Sequence, residues 1–390
     1  MGQVMGEQAQ NVDASQPDAG AHVRRTERPP VPQAKYHRTV HIVERLAPDG
    51  IETLVLDLLR SGPGDDMVFS LQGSADALVE AWPALREHRG RIDAFDRRPG
   101  VQPGLVLRIA HRLRQVRPHA VFVHHIGPLL YGGSAARLAR VPRLVHVEHD
   151  AWHYDSPNRR LLAGCCARIL NPQVVAVSRQ VAERVSAVMP RSRVILVPPG
   201  IDTGRFRPAD RTEARRRLGL DPAWRTVGSV GRLVPVKGHR FLIDALASLP
   251  EIVHCVIVGD GPERAALQEQ ARERGVAARV HFLGHRDDLD RIYPAFGVFC
   301  LPSLGEGLPR SVLEAQASGV PVIATAVGGL PEAVCPESGI LVEPGDPAAL
   351  AAGLRQALDR PAPATPPRRF VEDHFSWSRT LGRYRALAEE

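Results

Sequence analysis

Long apolar runs are missing from this chain. Across 390 residues, no stretch approaches the ~18–20 apolar residues that span a bilayer, so a transmembrane helix is not expected. Lysine is almost absent. Only Lys35 and Lys237 occur among 50 basic residues, so the net charge of +7 is nearly all arginine. Cysteine is sparse, with Cys165 and Cys166 adjacent and Cys255 and Cys300 inside apolar runs. That pattern excludes a disulfide framework and points to buried thiols in a reducing cytoplasm. Aromatic residues make up 5% of the chain, too few to interleave with the arginines as a single-stranded nucleic-acid surface requires. The first 36 residues are polar, lack an apolar h-region, and read as a disordered leader rather than a secretory signal.

What is present is an alternation of short apolar runs with helix-like segments from Arg38 onward, the pattern of parallel sheets covered by helices. In the first half the spacing predicts strands near Val40–Val43, Met67–Leu71, Ala120–Val123, Leu144–Val147, Val174–Val177 and Val194–Val197. Pro198–Pro199–Gly200 interrupts the chain, and a Pro- and Arg-rich stretch follows to Asp210. The pattern then restarts, with strands predicted at Thr226–Val230, Val253–Val258, Val280–Leu283, Val298–Leu301, Val320–Ala324 and Gly339–Val342. The expected organisation is a leader over 1–36, a Rossmann-like domain over 37–203, a second over 204–368, and a C-terminal helix over 369–390. Two facing doubly wound domains would leave a cleft between them.

Two loops in the second half carry the chemistry. The first is Gly231–Arg232–Leu233–Val234–Pro235–Val236–Lys237–Gly238, where an arginine fork and a compact ammonium stand together after a strand. Such a pair can neutralise a diphosphate. In a chain that otherwise uses arginine, a lysine beside a strand-end loop suggests a position that needs an ammonium; the plain alternative is a surface lysine after a turn. The second loop runs from Pro302–Ser303 through Glu306–Gly307 into a helix begun by Pro309 and ended by Gly319, with Glu314 eight residues after Glu306. It lies at the carboxyl end of a parallel strand, where open α/β sheets bind ligands, and the helix N–H groups favour an anion. Arg310, Glu314 and Ser318 are also spaced as one solvated helix face would be.

Taken together these motifs resemble the retaining GT-B glycosyltransferases of family 4. The resemblance is carried by Gly231–Arg232–Leu233 with Lys237–Gly238, by Val258–Gly259–Asp260–Gly261–Pro262, by Phe282–Leu283–Gly284, and by Glu306–Gly307 through Glu314–Ala315, Gly319–Val320–Pro321 and Gly328–Gly329 to Glu332. These cover most of residues 228–345. The first half matches more thinly, at Ala176–Val177–Ser178, Gly200–Ile201–Asp202, His124–His125 and His149. Members usually carry two glycines and then a glutamate near the start; Asp49–Gly50–Ile51–Glu52 keeps only the second glycine.

The resemblance implies an α/β GT-B fold and transfer of a sugar from a nucleotide diphosphate-sugar to a glycan or lipid-linked acceptor, in cell-surface polysaccharide or glycolipid biosynthesis. It implies that Arg232 and Lys237 bind the diphosphate and stabilise the departing charge, helped by backbone at Leu308, Pro309 and Ser311. Glu314 would take the ribose hydroxyls, and Glu306 and Gly307 would face the donor sugar. His149 would lie across the cleft, and Gly50, Gly261 and Gly284 would line the donor. Departure and attack on one face of the sugar, with the leaving phosphate taking the acceptor proton, requires no dedicated protein base; no metal and no further cofactor is expected.

The set His146, His149, Asp150 and His153 also suggests a metal, but residues 146 and 149 point to opposite faces of a strand. Asp288–Leu289–Asp290 fits the Asp-x-Asp of a metal-dependent fold, yet it follows Gly284–His285–Arg286 and reads as a helix cap. Arginines 86, 89, 91, 97, 98, 108, 112, 114 and 117 crowd the first half and suit an anionic membrane surface or anionic acceptor, or a merely solvated face. The expected location is cytoplasmic, peripheral on the membrane. Rival readings are a nucleotide-sugar epimerase on the same fold, a non-catalytic nucleotide-sugar-binding protein, and a nucleic-acid binder, whose affinity would fall steeply with salt.

Overall fold

The computed structural model describes residues 37–62, 64–359 and 366–389; the expected leader lies outside the described residues. Two parallel sheets organise the chain. The first holds β1 (Thr39–Val43), β2 (Met67–Ser70), β3 (Ile92–Ala94), β4 (Ala120–His124), β5 (Arg143–Glu148), β6 (Gln173–Ala176) and β7 (Val194–Leu196), in the order β3-β2-β1-β4-β5-β6-β7. The second holds β8 (Arg225–Val230), β9 (Val253–Val258), β10 (Val280–Gly284), β11 (Val298–Leu301), β12 (Val322–Thr325) and β13 (Ile340–Val342), in the order β10-β9-β8-β11-β12-β13. Every strand pair is parallel.

Helices cover both faces, which is why the central strands are apolar throughout rather than alternating. Ala120–His124 and Val253–Val258 are buried at every position. The edge strand Ile92–Ala94 is three residues long and carries Asp93, so it leaves no apolar run to find in the sequence.

Strand order reverses between β1 and β4 in the first sheet and between β8 and β11 in the second. Open α/β sheets bind ligands just beyond such switch points. The loops there carry Asp49 after β1, His125 after β4, Arg232 and Lys237 after β8, and Glu306 after β11.

The Trp377–Glu389 helix packs on the first sheet. Tyr384, Leu387 and Ala388 share a buried cluster with Leu54, Phe122 and Val145. The Trp377 indole donates to Ser61 Oγ at 2.9 Å. The chain reaches it through a short parallel bridge between Ile201 and Ser376. No helix among the described residues is long and apolar enough to cross a membrane.

Candidate active site

The strand-end loops of the two sheets meet directly. Arg232 Nε lies 2.8 Å from Asp49 Oδ2, and Arg310 Nη2 lies 2.5 Å from Asp57 Oδ2. The Arg179 amide donates to Glu332 Oε1 at 2.8 Å. Gly307 packs so closely on the His149 backbone that an added Cβ would fall inside its carbonyl. Each contact joins a loop or helix beyond the strands of the first sheet to one beyond the strands of the second, so the cleft stands closed around these residues.

On the second-sheet side, Pro235–Lys237 forms a 3-10 turn that ends at Gly238, whose φ of 66° is left-handed. A Cβ at Gly238 would strike the Pro302 carbonyl. Only glycine lets the two loops come this close, and the result is a contact between their charged groups. Lys237 Nζ donates to Glu306 Oε1 at 2.7 Å and to Oε2 at 2.9 Å, and Ser303 Oγ donates to Oε1 at 2.6 Å. The Glu306 side chain is 4% exposed and that of Lys237 18%. An ion pair removed from water to this degree must be geometrically good to offset desolvation, and this one is doubly bonded.

Leu308 is buried, and Pro309 stands at the N-cap position of the Arg310–Ala317 helix, leaving the first helical N–H groups, Ser311 among them, directed toward the loop. The helix is not the solvated face its spacing allows. Arg310, Glu314 and Ser318 are all buried. Glu314 Oε2 accepts from the Tyr293 hydroxyl at 2.9 Å, and Arg310 Nε stands 3.7 Å from Oε1. Burial raises the Glu314 carboxyl above its usual range, against the pull of Arg310 and Tyr293. Gly261 packs on the Leu233 backbone beside the Arg232 loop, and the Gly284 carbonyl accepts from the Gly259 amide at 2.8 Å. These glycines join the ends of β8, β9 and β10 into one floor.

Across the cleft, Gly50 opens the Gly50–Ser61 helix with nothing within 4 Å of an added Cβ. Asp49 caps that helix by accepting from the Gly50 amide at 2.8 Å, and its other carboxylate oxygen takes Arg232. The residue that departs from the family's first glycine therefore places a carboxylate against a cation expected to hold phosphate. Glu52, one turn on, is pushed up to about 8, by enclosure in protein first and the Asp49 charge second.

His149 lies just beyond β5. Its Nε2 is 2.8 Å from His124 Nδ1, and His124 Nε2 is 3.1 Å from His41 Nδ1. Burial lowers His41 and His149 to about 3 and His124 well below its ordinary value. His149 thus meets the cleft as a neutral imidazole at physiological pH, and the near-neutral titration expected of a free histidine is absent.

The residue that sequence reasoning missed is Glu148. Its side chain is fully buried, and Oε1 lies 2.5 Å from His125 Nδ1 while Oε2 accepts from the Tyr154 hydroxyl at 2.6 Å. His146 Nε2 and His153 Nε2 approach Oε2 at 3.3 and 3.4 Å. Burial alone would raise this carboxyl. The His125 charge and hydrogen bond, with the contacts from His146 and His153, outweigh that and hold it well below the usual range. His153 also bonds Asp150 Oδ1 at 2.9 Å; burial opposes its charge, but Asp150 and Glu148 push it up to about 9.

The structure regroups the histidines considered as metal ligands. His125, Asp150 and His153 bring one ligand atom each within 4.8 Å of one another, whereas His146 and His149 stand outside the group. Two carboxylates, Glu148 and Asp150, already face His125 and His153. Asp288 occupies an N-cap position but makes no cap hydrogen bond; its carboxylate takes Arg286 at 2.7 and 2.8 Å, and Asp290 takes Arg205 at 3.2 Å. The expected cap is therefore an arginine pair.

The comparisons with known proteins agree with this geometry. A family model described as glycosyltransferase family 4 matches residues 37–205, and one described as glycosyl transferases group 1 matches residues 210–373. The chain belongs to the group 1, family 4 glycosyltransferases. Among curated relatives of this family, a protein named D-inositol 3-phosphate glycosyltransferase from Mycolicibacterium gilvum is 43% identical over 214 residues, which is 50% of this chain and 48% of that protein. A protein of the same name from Actinosynnema mirum is 35% identical over 281 residues, 65% of this chain and 64% of that one. The chain thus spans about half to two thirds of these relatives' length. Among solved structures, Anabaena HepE with UDP and glucose gives a TM-score of 0.79 at 22% identity, covering 91% of this chain and all of that one. Sucrose-phosphate synthase from Thermosynechococcus elongatus gives 0.77 at 24% identity, covering 90% and 98%. At such identities the likeness establishes the fold, GT-B, with two Rossmann-like sheets.

Proposed function

We propose that the chain is a retaining glycosyltransferase that moves a sugar from a nucleotide diphosphate-sugar to an acceptor held on the first-sheet side. The observation that carries this reading is the convergence of both switch points on one closed cleft. Arg232 and the Lys237–Glu306 pair stand on one side of it and His149 on the other.

In this reading the diphosphate lies between Arg232, Lys237 and the amides that open the Arg310–Ala317 helix. Fixed positive charge there stabilises the departing nucleotide without reorganisation. Glu314 takes the ribose hydroxyls. Glu306, held by Lys237 and Ser303, presents a fixed negative charge to the oxocarbenium-like centre. His149 serves as a neutral hydrogen-bonding group toward the donor sugar or acceptor. The bond from the anomeric carbon to the phosphate oxygen breaks, the acceptor oxygen bonds the same face of that carbon, and the acceptor proton passes to the leaving phosphate. No metal takes part.

The solved HepE complex with UDP and glucose makes UDP-glucose the first donor to assay, and the relatives' names make D-inositol 3-phosphate the first small acceptor. A lipid-linked glycan is the acceptor we favour for polysaccharide or glycolipid assembly. In EDTA-containing buffer, nucleotide release should depend on acceptor, and proton NMR of the product should show the donor's anomeric configuration. Inversion, or release that ignores every acceptor, would contradict the proposal.

A further inference from the structure

Arg112 and Arg114, among the arginines first considered for a membrane surface, are occupied. Arg112 Nε bonds Asp93 at 2.7 Å, and Arg114 Nη2 donates to the Leu138 carbonyl at 2.8 Å. A different surface has the required form, on the Pro157–Leu170 helix.

This helix is apolar on two sides. Ala163, Cys166, Ala167 and Leu170 face the core. On the opposite side Leu161 is 70% exposed, Ile169 79% and Leu162 37%, with Cys165 also exposed. At 3.6 residues per turn, these four occupy an arc of about 100°. Arg168 borders one edge of the arc, Arg159 and Arg160 are exposed in the first turn outside it, and the three make no ion pair among the described residues. The helix carries no acidic residue. The nearest carboxylate in sequence, Asp155, is held by Arg184 at 2.5 Å.

An exposed apolar stripe with unpaired arginines beside it matches a surface whose interior is apolar and whose border is phosphate. We propose that this face docks on an anionic lipid bilayer, with Leu161, Leu162 and Ile169 entering the headgroup–acyl boundary and the arginines on lipid phosphates. A protein partner would be expected to meet the arginines with carboxylates, and nothing on this helix offers the complementary acid for a second copy of itself.

The location gives the docking a use. The Trp152–Asp155 turn leads into the helix, and the half-exposed Trp152 ring packs on Gly305 in the donor loop. The bilayer would then lie beside the cleft mouth, where a lipid-linked acceptor must enter. This last step rests on the acceptor proposed above; the docking itself does not.

Cys165 supplies the probe, because the other four cysteines are buried. The full chain labelled at Cys165 with an environment-sensitive dye is mixed with phosphatidylcholine vesicles, with and without 30% phosphatidylglycerol. A blue shift with anionic vesicles only, weakened by salt, is the expected result. Removing charge with R159Q or R168Q should weaken binding about fivefold each, as about 1 kcal/mol per arginine implies. I169S should weaken it while leaving the melting temperature unchanged. No shift with anionic vesicles overturns the proposal. So does a label that cannot react in the folded chain, or a dimer in light scattering that I169S dissociates, since either shows protein covering the face. Nucleotide release with a soluble acceptor is read on the same samples. Its failure beside intact vesicle binding counts against the transferase reading and not against docking.

Discussion

Asp49 holds Arg232 across the cleft at 2.8 Å, a carboxylate of one domain on the guanidinium of the other. A donor diphosphate must compete for the same fork. The two side chains are 35% and 56% exposed, so the pair is worth no more than about 1 kcal/mol. Asp49→Asn keeps the oxygen that caps the following helix and removes the charge. The expected outcome is a donor KM lowered by up to about fivefold, measured by steady-state kinetics across donor concentration, with kcat little changed.

The Lys237–Glu306 pair is buried where the first is exposed, and its loss should cost far more. Lys237→Met leaves an enclosed carboxylate with only Ser303 to bond it, a change worth about 3 kcal/mol by analogy with broken buried pairs. Urea denaturation should show that loss. The double variant Lys237→Met/Glu306→Gln should recover most of the stability and none of the activity. That split separates a role in the reaction from a role in folding.

Gly307→Ala tests closure. The added methyl would occupy the His149 carbonyl position, and backbone cannot yield as a flexible side chain can. Turnover should fall by at least 100-fold, and small-angle scattering should report a larger radius of gyration than for the parent chain.

Stability should peak near pH 6.5. His41 and His149 at about 3, His124 well below its ordinary value and His239 at about 4 stay neutral when folded, while the unfolded chain protonates them below about 6.5. The unfolded state then binds more protons, so stability falls as the pH drops from 6.5. On the other side, His153 at about 9, His125 above its ordinary value and Glu52 at about 8 keep protons that the unfolded chain releases. Their contribution is lost as the pH rises through 8 to 9. Melting temperatures from pH 5 to 9 check this; a monotonic curve would contradict it.

Much of the fold was legible because buried parallel strands are short, apolar and β-branched. Twelve predicted runs coincide with strands to within two residues at either end. The one missed, Ile92–Ala94, is an edge strand without an apolar run. Glu306 and Lys237 were readable as loop residues at strand ends, but their direct pairing depends on Gly238 approaching Pro302, a tertiary fact. Glu148 was invisible because it ends an apolar strand like any surface glutamate. Only the fold brings His125 and Tyr154 around it. The burial of Arg310 and Glu314 was hidden for the same reason: helical spacing shows which residues share a face, and packing decides what that face meets.

The central claim is that the cleft binds a nucleotide diphosphate-sugar through Arg232, Lys237, Glu306 and Glu314. A thermal-shift series with UDP-, GDP- and ADP-sugars measures this most directly, since a ligand at 100 times its Kd stabilises by about 2.7 kcal/mol. One nucleotide series should raise the melting temperature of the parent chain, by several degrees less in Glu314→Ala. If no nucleotide-sugar shifts the parent chain, or if Glu314→Ala shifts equally, the donor site has been misplaced.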